Sequence, residues 1–149
     1  MLNHLRSADG KWTVRDDVWV RSQRERGPLL ARPLEATFSV YGDSHQVEPE
    51  FQFGHMVGDE LTHQALAIKT APGGKYLNVD CRPPRSGGQV GPNTTNMMHD
   101  IREGLARLEK EFPVYDGSGY ELADFVWYHG RNGKYDGEVT TPASFHFAV

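Results

Sequence analysis

The sequence predicts an α/β fold with a parallel sheet, and three observations support it. Short apolar runs at 65–69 and 123–128 each lead into a glycine-rich loop, which is typical of buried strands. Two segments have the helical spacing of apolar residues: 50–63 precedes the first of these strands, and 93–112 lies between the two strands. An earlier apolar trio at 18–20 supplies a further strand. Strands that alternate with helices form a parallel sheet with helices against its faces.

The first 34 residues are polar, and only Val18-Trp19-Val20 is predicted to form a strand there; the rest is predicted to be loop. The segment Ala36–Tyr41 alternates apolar and polar residues with period two, which predicts a half-buried strand. A loop is predicted from 42 to 49.

Two amphipathic helices are predicted. Helical spacing of Phe53, Met56, Val57 and Leu61 predicts the first, with these residues on its apolar face. The second is predicted to start at an Asn93-Thr94-Thr95 cap and to end before Pro113. Its apolar positions form one stripe: Met97, Met98, Ile101, Leu105, Leu108 and Phe112. Glu103 and Arg107 are four residues apart on its exposed side and are predicted to pair.

The long loop after the strand at 65–69 is the first candidate for function. About twenty residues rich in Gly, Pro, Arg and Lys follow that strand, and a long ordered loop is usually functional. A second glycine-rich loop, 129–133, follows the strand predicted at 123–128. In parallel sheets ligands bind beyond the carboxyl ends of strands, so both loops are expected to face one cleft. The tail 134–149 shows no clear period.

The amino-acid composition limits the classes of function that this protein can have. The 149 residues suit one domain, with 38% hydrophobic and 11% aromatic residues. A net charge of −4 argues against a nucleic-acid partner. No stretch has the length of a membrane helix and the N-terminal residues lack the apolar core of a signal peptide, so no membrane partner and no export address are expected. The single cysteine, Cys81, excludes an internal disulfide.

The known catalytic motifs that we sought are each missing or incomplete in this sequence. Gly73-Gly74-Lys75 lacks the earlier glycine and the following Ser or Thr of a phosphate-binding loop. The seven histidines show no metal-binding spacing, so no metal is expected. No G-x-S-x-G motif and no Asp-x-x-His pair occurs. Asn132 follows a predicted strand and could donate to an oxyanion, although Asn132-Gly133 is also a strong turn pair, which spacing alone favours.

Four ordered blocks of sequence resemble sialate O-acetylesterase-like carbohydrate esterases of the SGNH (GDSL-type) hydrolase superfamily. The blocks are Pro49-Glu50-Phe51-x-Phe53-Gly54, Ile68-Lys69-Thr70-Ala71-x-Gly73-Gly74-Lys75, Asp80-x-Arg82-Pro83-Pro84-x-Ser86-Gly87-Gly88 and Tyr120-Glu121-Leu122-Ala123-x-Phe125-Val126-Trp127-Tyr128-x-Gly130-x-Asn132. The segment Asp16-Asp17-Val18-Trp19-Val20 also fits. The resemblance covers roughly residues 8–133 of a single domain, and the tail 134–149 diverges from it.

The resemblance implies a three-layer α/β/α fold with a flavodoxin-like parallel sheet. It also implies deacetylation of O-acetylated sugars, small or polymeric, by a Ser-His-Asp triad without metal or organic cofactor. Asn132 matches the family asparagine that completes the oxyanion hole, so the resemblance favours a catalytic role over a turn. The substrate-binding residues expected in the cleft are Gly73, Gly74, Lys75, Arg82, Trp127 and His129.

Departures from the family pattern bear on activity. The serine motif Gly-Gln-Ser-Asn and the Asp-x-x-His block are missing from these 149 residues, which predicts an incomplete copy, truncated at both ends and inactive alone. The family's Gly-Pro-Glu reads Glu48-Pro49-Glu50, and a carboxylate beside an oxyanion opposes the charge to be stabilised. Two alternatives remain at this point: a non-catalytic sugar-binding or interaction remnant, and a fragment that does not fold alone.

Overall fold

A three-stranded sheet forms the centre of the computed structural model, which describes residues 3–23, 27–38 and 47–128. Its strands are β1 (Arg15–Ser22), β2 (Leu30–Leu34) and β3 (Ala65–Lys69), in the order β2-β1-β3. β1 pairs with β3 in parallel and with β2 in antiparallel orientation. The α/β class is confirmed, and the prediction of a purely parallel sheet is corrected, because the sheet is mixed.

β2 lies in the part of the chain that was predicted to be loop. It contains Pro33, which lies opposite Trp19 of β1. Proline cannot donate a backbone hydrogen bond and is tolerated in edge strands, and β2 is an edge of this sheet. Pro33 argued against a strand in the sequence, yet the antiparallel pairing with β1 holds these residues in one.

The first helix, α1 (Pro49–Glu60), begins with proline at its first turn, which favours helix initiation. Its existence was predicted, but its buried face was predicted wrongly. Phe51, Gly54 and His55 are buried, whereas Phe53 and Met56 are exposed. A Cβ at position 54 would lie 2.5 Å from Leu34 Cδ2, so the glycine lets the helix approach the sheet closely.

The second predicted helix divides in two, α2 (Pro92–Ala106) and α3 (Leu108–Glu111), separated at Arg107. Gly91, not Asn93, is the N-cap, and it makes no side-chain cap. Pro92 occupies the first helical turn instead. The predicted pair is confirmed, because Arg107 NH2 lies 2.7 Å from Glu103 Oε1.

The two faces of the sheet carry different side chains. On one face Val18 and Val20 are fully buried in an apolar cluster that includes Phe51 of α1. On the opposite face Trp19 and Arg21 point toward α2 and α3: the Trp19 ring contacts Phe112 edge-on at 5.6 Å. The other buried members of the apolar cluster are Leu5, Leu34, Ala36 and Phe38.

Two predicted strands are corrected. The segment Ala36–Phe38 is a 3₁₀ turn with Ala36 and Phe38 buried, and residues 39–41 lie outside the described part. Residues 121–128 have no regular secondary structure and are mostly exposed, although the sequence predicted a buried strand at 123–128. A strand forms only when its backbone finds a partner, and within the described ranges this segment pairs with none.

None of the helices in the described ranges combines the length and the apolar character needed to cross a membrane.

Candidate functional site

The carboxyl ends of β1 and β3 lie side by side because the two strands are parallel. Their register runs from Val18 opposite Ala65 to Ser22 opposite Lys69. The long loop 70–91 leaves the sheet directly after Lys69, as the sequence predicted. This edge of the sheet is where α/β proteins bind ligands.

Lys69 makes several polar contacts at this edge of the sheet. Its side chain is only 9% exposed, and its Nζ donates to the Phe38 carbonyl at 2.9 Å and to Glu50 Oε1 at 2.6 Å. A third short contact joins Nζ to Glu48. A buried ammonium with three acceptors is well compensated, so the arrangement fixes the start of α1 against the end of β3.

The loop 70–91 is held by its own hydrogen bonds. Asp80 Oδ2 accepts from the Tyr76 backbone N–H at 2.8 Å, and the Asp80 carbonyl accepts from the Asn93 N–H at 2.8 Å. Arg82 donates through Nε to the Asn78 carbonyl at 2.7 Å and through NH1 to the Gly87 carbonyl at 3.2 Å. Asp80 and Arg82 therefore brace the loop, and it is ordered rather than a flexible connection.

Gly91 closes this loop onto the start of α2. A Cβ at that position would lie 2.4 Å from the Asp80 carbonyl oxygen and 2.5 Å from the Arg82 nitrogen. Both neighbours are backbone atoms and cannot turn aside. Only glycine fits there, a close approach that sequence analysis did not single out.

The predicted site residues divide between this loop and the later segment. Gly73 and Gly74 are exposed, and Gly74 has φ +70°, a conformation that glycine adopts readily. Lys75 is half-buried in the same loop. Arg82 directs its guanidinium to loop carbonyls, so its predicted role in binding substrate stays a prediction.

The remaining predicted residues follow α3. Trp127 is half-buried, and its ring lies 6.0 Å from the Phe125 ring. His129 and Asn132 lie outside the described residues, as does the second glycine-rich loop. The expected single cleft therefore stays a prediction.

Cys81 is buried within the braced loop. Burial raises the pKa of its thiol, and the Asn93 side-chain amide lies 3.9 Å from Sγ. Reactive cysteines have a lowered pKa and solvent access. Cys81 has neither, so its role is in packing.

A second charged cluster lies at the amino end of the sheet. Arg15 donates through Nε to Asp17 at 2.9 Å and through NH1 to the His55 carbonyl at 3.1 Å, and it also contacts Asp59. The hydrogen bonds that Arg15 donates to the Asp17 and Asp59 carboxylates raise the pKa of Arg15. These residues line an open groove of about 570 Å³ together with His4. Because both carboxylates are paired with Arg15, the cluster stabilises the end of α1.

His55, at the same end of the sheet, has a ring nitrogen that makes no hydrogen bond to a described residue. Its side chain packs edge-on against the Phe51 ring at 4.8 Å, and its Nε2 is buried without a hydrogen-bond partner among the described residues. Burial, followed by the charge of Arg15, lowers the pKa of His55. Folding therefore favours the neutral imidazole over the charged one.

One group of possible metal ligands occurs in the described ranges. Ligand atoms of His99, Asp100 and Glu103 on α2 lie within 4.8 Å of one another. Glu103 is already paired with Arg107 at 2.7 Å and with Arg21 at 3.3 Å. Two nearby guanidinium groups oppose a divalent cation at this group.

Comparison with known proteins gives no match: no family model, no curated protein and no solved structure is similar to this chain.

Proposed function

We propose that this chain belongs to a carbohydrate O-acetylesterase-type hydrolase of the SGNH class. In this proposal the sheet with helices on both faces is part of a three-layer α/β/α fold with a flavodoxin-like sheet. The loop 70–91 supplies one wall of the site for an acetylated sugar, and Asn132 donates to the oxyanion. The chemistry is acyl transfer to a serine, with His and Asp as base and orienter and with no metal or organic cofactor.

The observation that carries the proposal is the set of contacts made by Lys69. The first two blocks of the resemblance meet at the carboxyl end of β3, where Lys69 of the second block pairs with Glu50 of the first. The additional segment 16–20 lies in β1, the strand that pairs with β3. A contact between two blocks at the edge where such sheets bind ligands supports the proposal.

Glu48 stands where the family has a glycine, and its carboxylate is paired with Lys69. Lys69 also pairs with Glu50, so a single ammonium group is shared by two carboxylates. The pairing therefore reduces the negative charge that opposes an oxyanion without removing it.

Turnover by this chain is not expected. The 149 residues contain neither Gly-Gln-Ser-Asn nor Asp-x-x-His. We therefore propose that this chain is one part of such a hydrolase, which binds the acetylated sugar but does not hydrolyse the ester alone. The alternative is a non-catalytic sugar-binding or interaction remnant that is not part of a working esterase; the absent nucleophile and the glycine replaced at Glu48 favour it.

Two measurements on the purified chain test the proposal. Titration with acetylated xylose or O-acetylated sialic acid, followed by calorimetry, is expected to give binding in the millimolar range or tighter. Lys75→Ala and Trp127→Ala are expected to weaken it, whereas Lys110→Ala, an exposed lysine on α3, is expected not to. Absence of heat at millimolar sugar would contradict binding by this chain.

Hydrolysis of p-nitrophenyl acetate is the second measurement. No rate above the uncatalysed background is expected. A rate that Asn132→Ala abolishes would show that the chain carries a nucleophile of its own, and it would place the oxyanion site. A rate that Asn132→Ala leaves unchanged would contradict the role given to that residue.

A further inference from the structure

The N-terminal segment 3–13 forms a small unit of its own beside the sheet, whose strands all begin after it. Its ends are joined by the Thr13 N–H, which donates to the Leu5 carbonyl at 3.0 Å. Nearer its tip the Ser7 N–H donates to the Lys11 carbonyl at 2.9 Å. A segment held together by its own hydrogen bonds can move as one body while the rest of the fold stays in place.

Three contacts dock this segment on α1 and on the apolar cluster. Leu5 is 1% exposed and belongs to the cluster. The Trp12 ring meets the Phe51 ring edge-on at 5.5 Å, and His4 Nε2 lies 2.8 Å from Gln52 Oε1. Both partners on α1 lie in the first turn of that helix. The segment therefore docks on a small area at the start of α1.

His55 lies one turn further along α1, against the same area. Its ring packs edge-on against the Phe51 ring at 4.8 Å, and it hydrogen-bonds the Thr13 backbone at the end of the segment. The residue is only 6% exposed. Ring contacts thus run from Trp12 through Phe51 to His55, so a movement of the imidazole disturbs the packing of the segment.

The surroundings of His55 oppose a positive charge on its ring. The charged or titratable groups that face it among the described residues are Arg15 and Asp17 of β1, Asp59 of α1 and His4 of the segment. Arg15 donates to the His55 carbonyl at 3.1 Å, and both carboxylates are already paired with this guanidinium. Burial, followed by the Arg15 charge, lowers the pKa of His55.

We propose that His55 is a pH-sensitive switch for the segment 3–13: its protonation in mild acid releases the segment from α1 while the sheet stays folded. The charged ring can reach water by turning into the open groove at the amino end of the sheet, which His55 itself lines. That movement takes the imidazole away from Phe51, and the contact between Phe51 and Trp12 is lost with it.

The direction of the pH dependence follows from the two states of the switch. In the docked state the pKa of His55 lies below its ordinary value of 6.5, and in the released state the solvated ring regains that value. The docked state is therefore fully favoured above pH 6.5. As the pH falls below 6.5, the ratio of docked to released chains decreases by at most about tenfold per pH unit, since one proton is taken up.

Hydrogen exchange of the full chain from about pH 7.5 to about pH 5, corrected for the intrinsic pH dependence of exchange, is the primary test. The amides of Ser7 and Thr13 report the segment, because both are hydrogen-bonded within it. Their protection is expected to fall by up to about tenfold per pH unit below pH 6.5. Protection that stays constant over this range would overturn the proposal.

Release of the segment alone is distinguished from unfolding of the whole chain by a reference amide. Val20 of β1 pairs with both neighbouring strands and so reports the sheet. In mild acid, exchange at Ser7 and Thr13 is expected to be faster than at Val20 and insensitive to low urea, because local opening exposes little surface. Equal protection and equal urea dependence at the three amides would overturn the proposal, since the whole chain would then be opening.

Substitutions assign the effect to one histidine. His55→Phe keeps an aromatic ring against Phe51 but takes up no proton, so protection of the segment is expected to become independent of pH. His4→Gln and His99→Gln, the latter at an exposed position of α2, are expected to keep the pH dependence of the natural chain. A dependence that persists in His55→Phe, or that disappears in His4→Gln, would overturn the assignment to His55.

The natural chain provides a further measurement that does not depend on the folding of a variant. The ring-proton NMR signals of His55 are expected to titrate over the same pH range in which the segment loses protection. Loss of protection at a pH where the His55 ring is still neutral would overturn the proposal.

Discussion

The two faces of β1 are held by different physical forces, although they belong to the same eight residues. On the α1 face Val18 and Val20 meet Leu34 and Phe51 in a cluster with no charged member. On the α2 face the centre is occupied by Arg21, whose side chain is 1% exposed. Charge is therefore absent from the middle of one face and fully buried in the middle of the other.

Where charge occurs on the α1 side, it lies at the margins. Arg15 at the amino end pairs with Asp17 and Asp59, and Lys69 at the carboxyl end pairs with Glu48 and Glu50. These pairs frame the apolar cluster without entering it.

Arg21 instead ties β1 to both helices of the other layer. It donates through Nε to Glu111 at 2.7 Å, and it reaches Glu103 and the Asp100 carbonyl at 3.3 Å. Apolar packing is non-directional and tolerates adjustment, whereas a buried ion pair demands one geometry. The α1 layer is therefore fixed by shape and the α2 layer by a charge.

Removal of Arg21 is expected to have the largest effect. Arg21→Met leaves Glu111, only 10% exposed, without its main partner, and a buried unpaired carboxylate costs about 3–5 kcal/mol of the free energy of unfolding. Urea unfolding followed by circular dichroism measures the loss. The double variant Arg21→Met, Glu111→Leu is expected to recover most of it, because no charge is then left buried. A loss in the single variant under about 1 kcal/mol would mean that water reaches Glu111.

One closely packed glycine from each helix layer, Gly54 of α1 and Gly104 of α2, allows the two faces to be compared directly. Gly54→Ala brings a Cβ to 2.5 Å from Leu34 Cδ2, while Gly104→Ala brings one to 2.9 Å from Arg21 Cδ. Overpacking is expected to cost about 1–3 kcal/mol at each site, with the larger loss at position 54, where the clash is closer. The same unfolding assay ranks them. Asn96→Ala on the exposed side of α2 reports the gain in helix propensity alone, and the reverse order of the two glycines would contradict the close packing of α1.

A pH dependence is expected from the α1 side. The pKa of His55 is lowered in the folded protein. When the pH falls below the ordinary value of 6.5, the unfolded chain therefore takes up the proton before the folded chain does. The contribution of His55 is therefore fully present above pH 6.5 and is lost as the pH falls below it, by at most about 1.4 kcal/mol per pH unit. Unfolding free energies of the natural chain and His55→Phe, measured across this range, isolate it. Parallel pH profiles for the two proteins would show that folding does not lower the pKa of His55.

The smallest effect is expected on the exposed side of α2. Arg107→Ala removes a partly exposed pair with Glu103, which is worth about 0.3–0.5 kcal/mol. Salt is expected to reduce this difference further, because exposed charges are screened. Unfolding of the variant at low and high salt measures both. A loss comparable to that of Arg21→Met would mean that Arg107 holds Glu103 in place for Arg21. The α2 face would then depend on a charged network that includes Arg107.

Local sequence patterns were enough to predict the elements that depend on neighbouring residues. The bounds of β3 agree with the prediction, as does the start of the long loop after Lys69. The strand around Val18–Val20, the helix that begins near Glu50 and the pair of Glu103 with Arg107 were also readable. Each depends on residues within one or two turns of the chain, where periodicity and proline or glycine placement decide the outcome.

Which surfaces meet depends on contacts between residues that are distant in the chain. The apolar spacing of Phe53 and Met56 indicated one face of α1, but the close approach allowed by Gly54 put another face on the sheet. The same holds for β2, whose pairing overrode Pro33, and for 123–128, where strand composition found no partner in the described part of the chain. The joining of Lys69 to Glu48 at the candidate site was also invisible, because the attraction acts between residues 21 apart in the chain. Local sequence sets what a segment can form, and burial against distant residues selects what it does form.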